Sequence, residues 1–371
     1  MTRRRLAIVP LALALAACSA VPASPGGSSS SEPSAAAVPQ VPVPAGRILF
    51  MRRGQDGVEH YFTIKTDGTD EHALFDAEGC SCARWSADGT LVLTLGATEH
   101  DTWSLRTIRP DGSGDAVVPN PIETLNLAPG ASSADGRLIA FNGWDETDSA
   151  NTGLWLASPD LSDLRMVMPL QEGMLAIEPF GVTPDGSQIV FFAETGPHGE
   201  TTHAGDIFVV NADGTALRQL NPLGTKTGFI GPAVLTLSPD GQQAAFSLDN
   251  AIWVVDLAGG EARPITDRTG FVWAASWSPT GEWIAFTRQH GATSVIGLVR
   301  PDGTDDHEIT ANDATDETAM PMWSPDGKHL LVRRGGDADS DLWILDLEGT
   351  YIGQVTHEPS EYGVYSWAPA Q

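Results

Sequence analysis

The sequence predicts an all-β fold: a seven-bladed β-propeller of four-stranded blades, closed by the C-terminal strand, which completes the first blade. Two observations support this prediction. A unit of four short apolar runs recurs along the chain, and the two ends of the body each supply part of one more unit. A four-stranded repeat of this length is typical of a propeller blade.

The unit is clearest near the C-terminus, where it begins with Trp323-Ser324-Pro325-Asp326-Gly327. Ser-Pro-Asp-Gly favours a turn, because proline presets φ, aspartate bonds to nearby backbone and glycine accepts a positive φ. The apolar runs that follow, Leu330-Leu331-Val332 and Leu342-Trp343-Ile344-Leu345, have strand length. A second turn follows at Glu348-Gly349-Thr350. Each unit therefore predicts strand A, a turn, strand B, a loop, strand C, a second turn and strand D.

The A–B turn recurs at six places. These turns are Ser86-Ala87-Asp88-Gly89, Ser133-Ala134-Asp135-Gly136, Thr183-Pro184-Asp185-Gly186, Ser238-Pro239-Asp240-Gly241, Ser278-Pro279-Thr280-Gly281 and Ser324-Pro325-Asp326-Gly327. The C–D turns keep step, with glycines at Gly68, Gly112, Gly214, Gly303 and Gly349, and two units depart at Asp160-Leu161-Ser162 and Ala258-Gly259-Gly260. Residues 47–75 supply strands B, C and D alone, and Val364-Tyr365-Ser366-Trp367 resembles an isolated strand A. Six full units and this composite predict seven blades.

The N-terminus has the pattern of a targeting segment. Arg3-Arg4-Arg5 precedes an apolar run that ends at Ala17 and is too short to span a bilayer. Leu15-Ala16-Ala17-Cys18 resembles the bacterial lipobox, which implies removal of residues 1–17 and a lipid on Cys18; an ordinary secretory signal is the alternative. Residues 18–45, rich in Ser, Pro, Ala and Gly, predict a disordered, lipid-anchored tether, and residues 46–371 the propeller. We expect an exported protein, anchored to the cell membrane and facing the periplasm or the cell exterior.

The charge of the chain restricts its partners. The formal net charge is −27, and loss of residues 1–17, with three arginines and no acids, makes it −30. Nucleic acid is not an expected partner, because phosphate binding needs a basic face. A strongly negative chain favours solubility and self-repulsion, so we expect a monomer.

The repeats resemble the WD40-like repeats of the TolB propeller family. The Trp-Ser-Pro-Asp-Gly run and the strand Leu342-Trp343-Ile344-Leu345-Asp346 carry this resemblance, which extends over residues 46–371. It implies the fold and leaves the activity open, because such repeats occur both in scaffolds and in enzyme domains. TolB itself has an additional N-terminal α/β domain and six blades, whereas here a tether precedes seven.

Strand alternation sorts the connections into two faces. The A–B and C–D turns form what we call the turn face, and the B–C loops and D–A connections form the loop face. Loops on a rigid scaffold often carry binding residues. The candidate ligand-binding residues on the loop face are His60, His100, Trp144, His198, His203, Arg268, Trp273, Arg288, His290 and His357. The aromatic residues of strands A and C are instead expected to fill the core between blades.

The expected function is a binding or scaffold module for an envelope protein, peptide or glycan, with no cofactor. The alternative is a propeller lyase or lactonase that acts on a carbohydrate-derived substrate with a bound divalent metal, yet Glu178 is the only acid adjoining the inner strands. Residues 337–341 have calcium-like spacing but lack the loop glycine and terminal glutamate, which favours an acidic hairpin loop. The sequence contains no Gly-x-Ser-x-Gly motif, so nothing in it indicates a serine hydrolase. Cys80 and Cys82 are expected to be oxidised in an exported protein.

Overall fold

The computed structural model describes residues 43–369, apart from residues 56, 78–82, 196–203, 223, 229–234, 311–317, 337–338 and 359. The predicted signal peptide, Cys18 and nearly all of the tether lie outside this range, as do Cys80 and Cys82. Within the described part of the chain, no helix has both the length and the apolar character needed to cross a membrane.

The described strands form seven antiparallel sheets, which we call blades 1 to 7 in the order of the ring. The strands of each blade are given from the inner strand outward. Blade 1 contains β29 (Tyr362–Trp367), β1 (Arg47–Arg53), β2 (Glu59–Lys65) and β3 (His72–Asp76). Blade 2 contains β4 (Arg84–Trp85), β5 (Val92–Ala97), β6 (Trp103–Ile108) and β7 (Ala116–Val117). Blade 3 contains β8 (Leu125–Ser132), β9 (Ile139–Asp145), β10 (Gly153–Ala157) and β11 (Arg165–Pro169), with one 3₁₀ turn, η1 (Ser149–Asn151), between β9 and β10.

The second half of the ring follows the same order. Blade 4 contains β12 (Met174–Val182), β13 (Gln188–Thr195), β14 (Ala204–Asn211) and β15 (Arg218–Gln219), and a short extra strand, β16 (Thr227–Gly228), also pairs with β14. Blade 5 contains β17 (Leu235–Leu237), β18 (Gln243–Leu248), β19 (Ala251–Asp256) and β20 (Arg263–Pro264). Blade 6 contains β21 (Phe271–Trp277), β22 (Ile284–His290), β23 (Thr293–Val299) and β24 (His307–Glu308). Blade 7 contains β25 (Thr318–Trp323), β26 (His329–Gly336), β27 (Asp339–Asp346) and β28 (Tyr351–Gln354).

The composite blade confirms the predicted closure. Strand β29 is antiparallel to β1, with Trp367 opposite Ile48 and Tyr365 opposite Phe50. The last strand is therefore the inner strand of blade 1. Pairing of the two ends of the propeller removes the exposed edges that an open ring would leave.

The apolar core lies between the blades. The buried side chains of the described residues group into seven clusters, and each cluster joins two adjacent blades. The cluster between blades 7 and 1 contains Leu342 and Ile344 from one side and Ile48, Tyr365 and Trp367 from the other. Blades are thus covered on both faces, which explains why their strands are continuous apolar runs rather than alternating ones.

The A–B turns are held by a repeated hydrogen-bond network. In blade 7, Ser324 donates to Asp326 at 2.6 Å, Asp326 accepts from the backbone of Lys328 at 3.1 Å, and the Ser324 hydroxyl accepts from the backbone of His329 at 3.0 Å. Four other turns repeat the Ser/Thr-to-Asp bond. In blade 2, the hydrogen bond from Ser86 holds the pKa of Asp88 below its usual range. The motif that marks the repeat is therefore a self-contained turn.

The turns also contact one another around the axis. A Cβ added at Gly136 would lie 3.1 Å from Ala87 in the preceding turn, and one added at Gly327 would lie 3.5 Å from Pro279. At the closure point, the equivalent neighbour of Gly89 is Pro369, whose carbonyl oxygen lies 3.2 Å from the added Cβ. Pro369 therefore takes the place that the second turn residue has in the other blades.

Candidate functional site

The loop face is where the sequence predicts the ligand-binding residues, and most of those that are described lie at the ends of strands rather than in loops. His60 is in β2, Trp144 in β9, Trp273 in β21, and both Arg288 and His290 are in β22. His198 and His203 lie outside the described residues. His357 follows β28, and its ring lies against Gly68 in the C–D turn of blade 1.

Three of the described histidines of this face lie close to carboxylates. Nδ1 of His60 lies 2.6 Å from Asp76, and Nε2 of His290 lies 2.7 Å from Glu308. His100 is more exposed, and its Nε2 lies 3.6 Å from Glu99. In blades 1 and 6 the acid belongs to strand D and the histidine to strand C or B, so each pair links the strands of one blade.

Arg288 is the most enclosed of the predicted site residues that the structure describes, with 6% of its surface exposed. Its guanidinium lies 2.9 Å from Asp306, 3.2 Å from Glu308 and 3.7 Å from Asp267. Burial by itself lowers the pKa of Arg288, but the acids, Asp306 first among them, raise it above its ordinary value. The Arg288 side chain therefore links strand β22 by ion pairs to the region of strand β24 and to the connection that precedes blade 6.

Two aromatic residues lie at the start of the inner strand of blade 6, on either side of Val272, which pairs with Arg288. Phe271 has 46% of its surface exposed, and Trp273 is partly buried two residues further along β21. Residues two apart on a strand point to the same side. Arg268 is exposed, and its guanidinium lies 5.5 Å from the centre of the Trp253 ring. We call Arg268, Phe271 and Trp273 the blade-6 patch.

The B–C loop of blade 3 is organised around the buried carboxylate of Asp145. This group accepts hydrogen bonds from Thr147, Thr124 and Asn151 at 2.7, 2.8 and 3.0 Å. Burial alone would raise the pKa of Asp145, but these hydrogen bonds lower it well below its usual range. The neighbouring Trp144, a predicted ligand-binding residue, lies in β9 next to this loop and is partly buried.

The inner strands hold a charged pair whose coupling the sequence does not reveal. Glu178 lies on β12 of blade 4, and burial raises its pKa to about 7 although Arg84 acts in the opposite sense. Arg84 lies on β4 of blade 2, where burial lowers its pKa and Glu178 raises it.

The inner strands are irregular: β8, β12, β21 and β25 each contain a register shift, and Ala274 and Met320 adopt φ values of 56° and 58°.

Metal ligation was the hypothesis attached to the enzyme alternative. Among the residues that the structure describes, no three His, Cys, Asp or Glu side chains are grouped so as to hold a metal ion. Asp337, part of the calcium-like segment, is outside the described residues. Asp341 lies in β27 and accepts hydrogen bonds from Thr356 at 2.9 Å and from Gln354 at 3.0 Å. These bonds join strand C to strand D of blade 7.

Sequence comparison yields partial relatives, and no protein-family model matches the chain. The uncharacterized protein YidR of Escherichia coli (strain K12) is 30% identical over 118 residues, which are 30% of this chain and 26% of YidR. The uncharacterized peptidase YuxL of Bacillus subtilis (strain 168) is 28% identical over 139 residues, or 36% of this chain and 19% of YuxL. The matches therefore span about a quarter or less of each relative.

Solved structures share the fold over most of the chain. Puromycin hydrolase aligns with a TM-score of 0.59 and 18% identity over 85% of this chain and 54% of its own. Oligogalacturonate lyase in complex with manganese aligns with a TM-score of 0.57 and 16% identity, over 78% of this chain and 82% of its own. TolB from Acinetobacter baumannii aligns at 14% identity over 87% of this chain and 82% of its own, with a TM-score of 0.49. The chain shares the β-propeller fold with puromycin hydrolase and oligogalacturonate lyase, and identities this low extend the likeness no further than the fold.

Proposed function

We propose that this chain is a binding module of the cell envelope, held at the membrane by a lipid on Cys18, and that its loop face docks an envelope protein, peptide or glycan. The observation that carries this proposal is the exposure of Phe271. Its 46% exceeds that of Leu217 (40%) and Val58 (37%), the other large hydrophobic side chains exposed among the described residues. Phe271 also lies beside Trp273, within the blade-6 patch.

The composition of the patch supports a contact with a partner. Aromatic and arginine side chains dominate the energy of protein interfaces, where a good one contributes about 2 kcal/mol or more. The patch combines an exposed phenylalanine, a partly buried tryptophan and an exposed arginine. The backbone of its two aromatic residues is held in a sheet, because Phe271 and Trp273 pair with Gln289 and Thr287 of β22. A preformed surface loses little conformational entropy on binding.

The charges around the patch indicate the chemistry of the partner. Asp267, Asp306 and Glu308 surround Arg288, which pairs with Val272 between Phe271 and Trp273, and the whole chain has a net charge of −27. A partner with an apolar anchor flanked by basic groups complements this surface. Electrostatic attraction of this kind raises the association rate and is weakened by salt.

The experiment is a comparison of three baits on detergent-solubilised envelope: the parent, Phe271→Ser and Leu217→Ser. Leu217 is the matched control, because it is similarly exposed but lies beside the C–D turn of blade 4 on the turn face. We expect a partner that the parent and Leu217→Ser capture and Phe271→Ser loses. With that partner purified, Phe271→Ser and Trp273→Ala should each weaken binding by about 30-fold, which corresponds to about 2 kcal/mol.

Two results would contradict the proposal. If Leu217→Ser loses the partner and Phe271→Ser retains it, the docking surface is on the turn face. If the purified chain turns over a uronide or a lactone and a chelator stops the reaction, the chain is an enzyme rather than a binding module.

A further inference from the structure

The segment that precedes β1 contacts both blade 1 and blade 7. The backbone amide of Thr66, in the C–D turn of blade 1, donates to the carbonyl of Gly46 at 3.1 Å, and the Thr66 hydroxyl donates to the carbonyl of Pro44 at 2.6 Å. Val43 then packs against the apolar cluster between blades 7 and 1. We call residues 43–46 the strap.

Val43 occupies a gap in strand D of blade 7. A Cβ added at Gly353 of β28 would lie 2.8 Å from Cγ2 of Val43, and the two next nearest atoms, at 3.8 and 4.0 Å, also belong to Val43. Gly353 is not among the described glycines with a positive φ, so its backbone does not require glycine. The missing side chain at this position therefore makes room for Val43.

The strap lies beside the place where the ring closes. Strands β1 and β29, from the two ends of the described chain, are joined by a ladder in which Ile48 is opposite Trp367. At the loop-face end of this ladder, Arg53 forms an ion pair with Glu361 at 3.1 Å, and its carbonyl accepts from Ser360 at 2.9 Å. The strap holds the other end, on the turn-face side.

The two fastenings differ in physical character. The Arg53 and Glu361 side chains are 34% and 24% exposed, and ion pairs at this exposure contribute little and are weakened by salt. Val43 is partly buried against apolar side chains, a contact that does not depend on charge. The strap is therefore the fastening that persists at any ionic strength.

We propose that the strap locks the closure between the first and the last strand, so that the segment through which the predicted tether joins the propeller controls how readily the ring opens. Separation of β1 from β29 moves the N-terminal part of blade 1 away from blade 7, and this requires Val43 to leave Gly353. Release of the strap should therefore raise local opening of the β1–β29 ladder while the other blades stay closed. The lock does not depend on docking at the loop face, and only its connection to the anchor depends on the proposed lipid.

The test is amide hydrogen exchange of the purified chain, which reports local opening. Gly353→Ala places a methyl group against Val43 and leaves both strands of the closing ladder unchanged. We expect the amides of β29 and β1 to exchange about tenfold faster than in the parent, because overpacking displaces the strap. Exchange in β21, the inner strand of blade 6, should not change. Val58→Ala is the control, because Val58 is 37% exposed and follows the opposite end of β1.

A double variant isolates the contact between the two residues. Val43→Ala removes Cγ2 and should itself speed the exchange of β29 about fivefold. In that background, the nearest remaining side-chain atom to an added Cβ at Gly353 is the Cβ of residue 43, at 4.0 Å, so Gly353→Ala should have no further effect. Unchanged exchange of β29 in either single variant, an equal rise in β21, or the same effect of Gly353→Ala in both backgrounds would each overturn the proposal.

Discussion

The indole nitrogen of Trp85 donates a hydrogen bond to the carbonyl oxygen of Ser366 at 3.3 Å, across 281 positions of sequence. Two other tryptophans at the ends of inner strands do the same to the preceding blade. Trp323 donates to Ser276 at 2.8 Å, and Trp367 donates to Met322 at 3.2 Å. The closing interface therefore uses the same contact as an ordinary interface between consecutive blades. These hydrogen bonds connect the inner strands of adjacent blades, and the tryptophans that donate them recur with the repeat.

Substitution of these tryptophans should lower the unfolding free energy, and loss of the whole ring should lower it more than loss of the hydrogen bond alone. Trp367→Ala deletes a large ring that is 7% exposed, and we expect a loss of about 3–5 kcal/mol of unfolding free energy. Trp85→Phe keeps most of the packing but removes the hydrogen bond, which should cost about 1 kcal/mol. Ser366→Ala is the control, because it leaves the accepting carbonyl in place. Urea denaturation measures all three, and a Trp367→Ala protein as stable as the parent would show that β29 does not close the ring.

The C–D glycine of blade 7, compared with a glycine of similar φ in the D–A connection before blade 4, offers a second measure of contact between blades. A Cβ added at Gly349 would collide with the carbonyl oxygen of Ile309 in blade 6, and its φ is 87°. Gly173 has a φ of 86° but nothing within 4 Å of an added Cβ. Both alanine variants should lose about 1–2 kcal/mol from the strained backbone. Gly349→Ala should lose about 1–3 kcal/mol more, because it also overpacks the interface. If the two variants lose equal unfolding free energy in thermal or urea denaturation, the interface between blades 6 and 7 accommodates the added Cβ without overpacking.

The fold was predictable because its signals are local. The Ser-Pro-Asp-Gly turn contains its own hydrogen bonds, so Ser324 and Asp326 mark a blade wherever they recur. The composite blade could be inferred because Trp367 occupies the same place relative to its strand as Trp323. Strand alternation then assigned the loop face. These steps require only the order of residues along one repeat.

The chemistry of the site was less predictable, because it depends on offsets between strands and on which blades face each other. Arg288 pairs with Asp306, 18 residues later, and this requires the register of strand B against strand D across two turns. Glu178 stood out as the acid adjoining the inner strands, but its coupled partner, Arg84, belongs to a strand two blades away. The exposure of Phe271 likewise follows from packing rather than from residue type.

The predicted lipid anchor can be tested by fractionation of cells. Cys18→Ser removes the sulfur that the lipobox-like segment marks for acylation, so the protein should move from the membrane fraction to the soluble fraction. Stable anchoring requires burial of acyl chains, which serine at this position cannot provide. Cys80→Ser is the matched control and should leave the protein with the membrane. Unchanged fractionation of Cys18→Ser would refute the anchor.

Glu178 should make the stability of the propeller depend on pH in a specific window. Its pKa rises from the ordinary 4.5 to about 7 in the folded chain, because burial disfavours the charged form. Between these two values the folded chain holds a proton that the unfolded chain has lost, so the unfolding free energy falls as pH rises through the window. The fall is at most about 3 kcal/mol, and it levels off above pH 7.

Glu178→Gln keeps the shape of the side chain and removes this titration. The variant should match the parent near pH 4 and exceed its unfolding free energy progressively toward pH 8, as measured by urea denaturation at a series of pH values. Glu99→Gln is the control, because it makes the same replacement at a side chain that is 88% exposed. A constant difference between Glu178→Gln and the parent across the series would show that folding does not shift the pKa of Glu178. The attraction of Arg84 for the carboxylate would then offset the effect of burial.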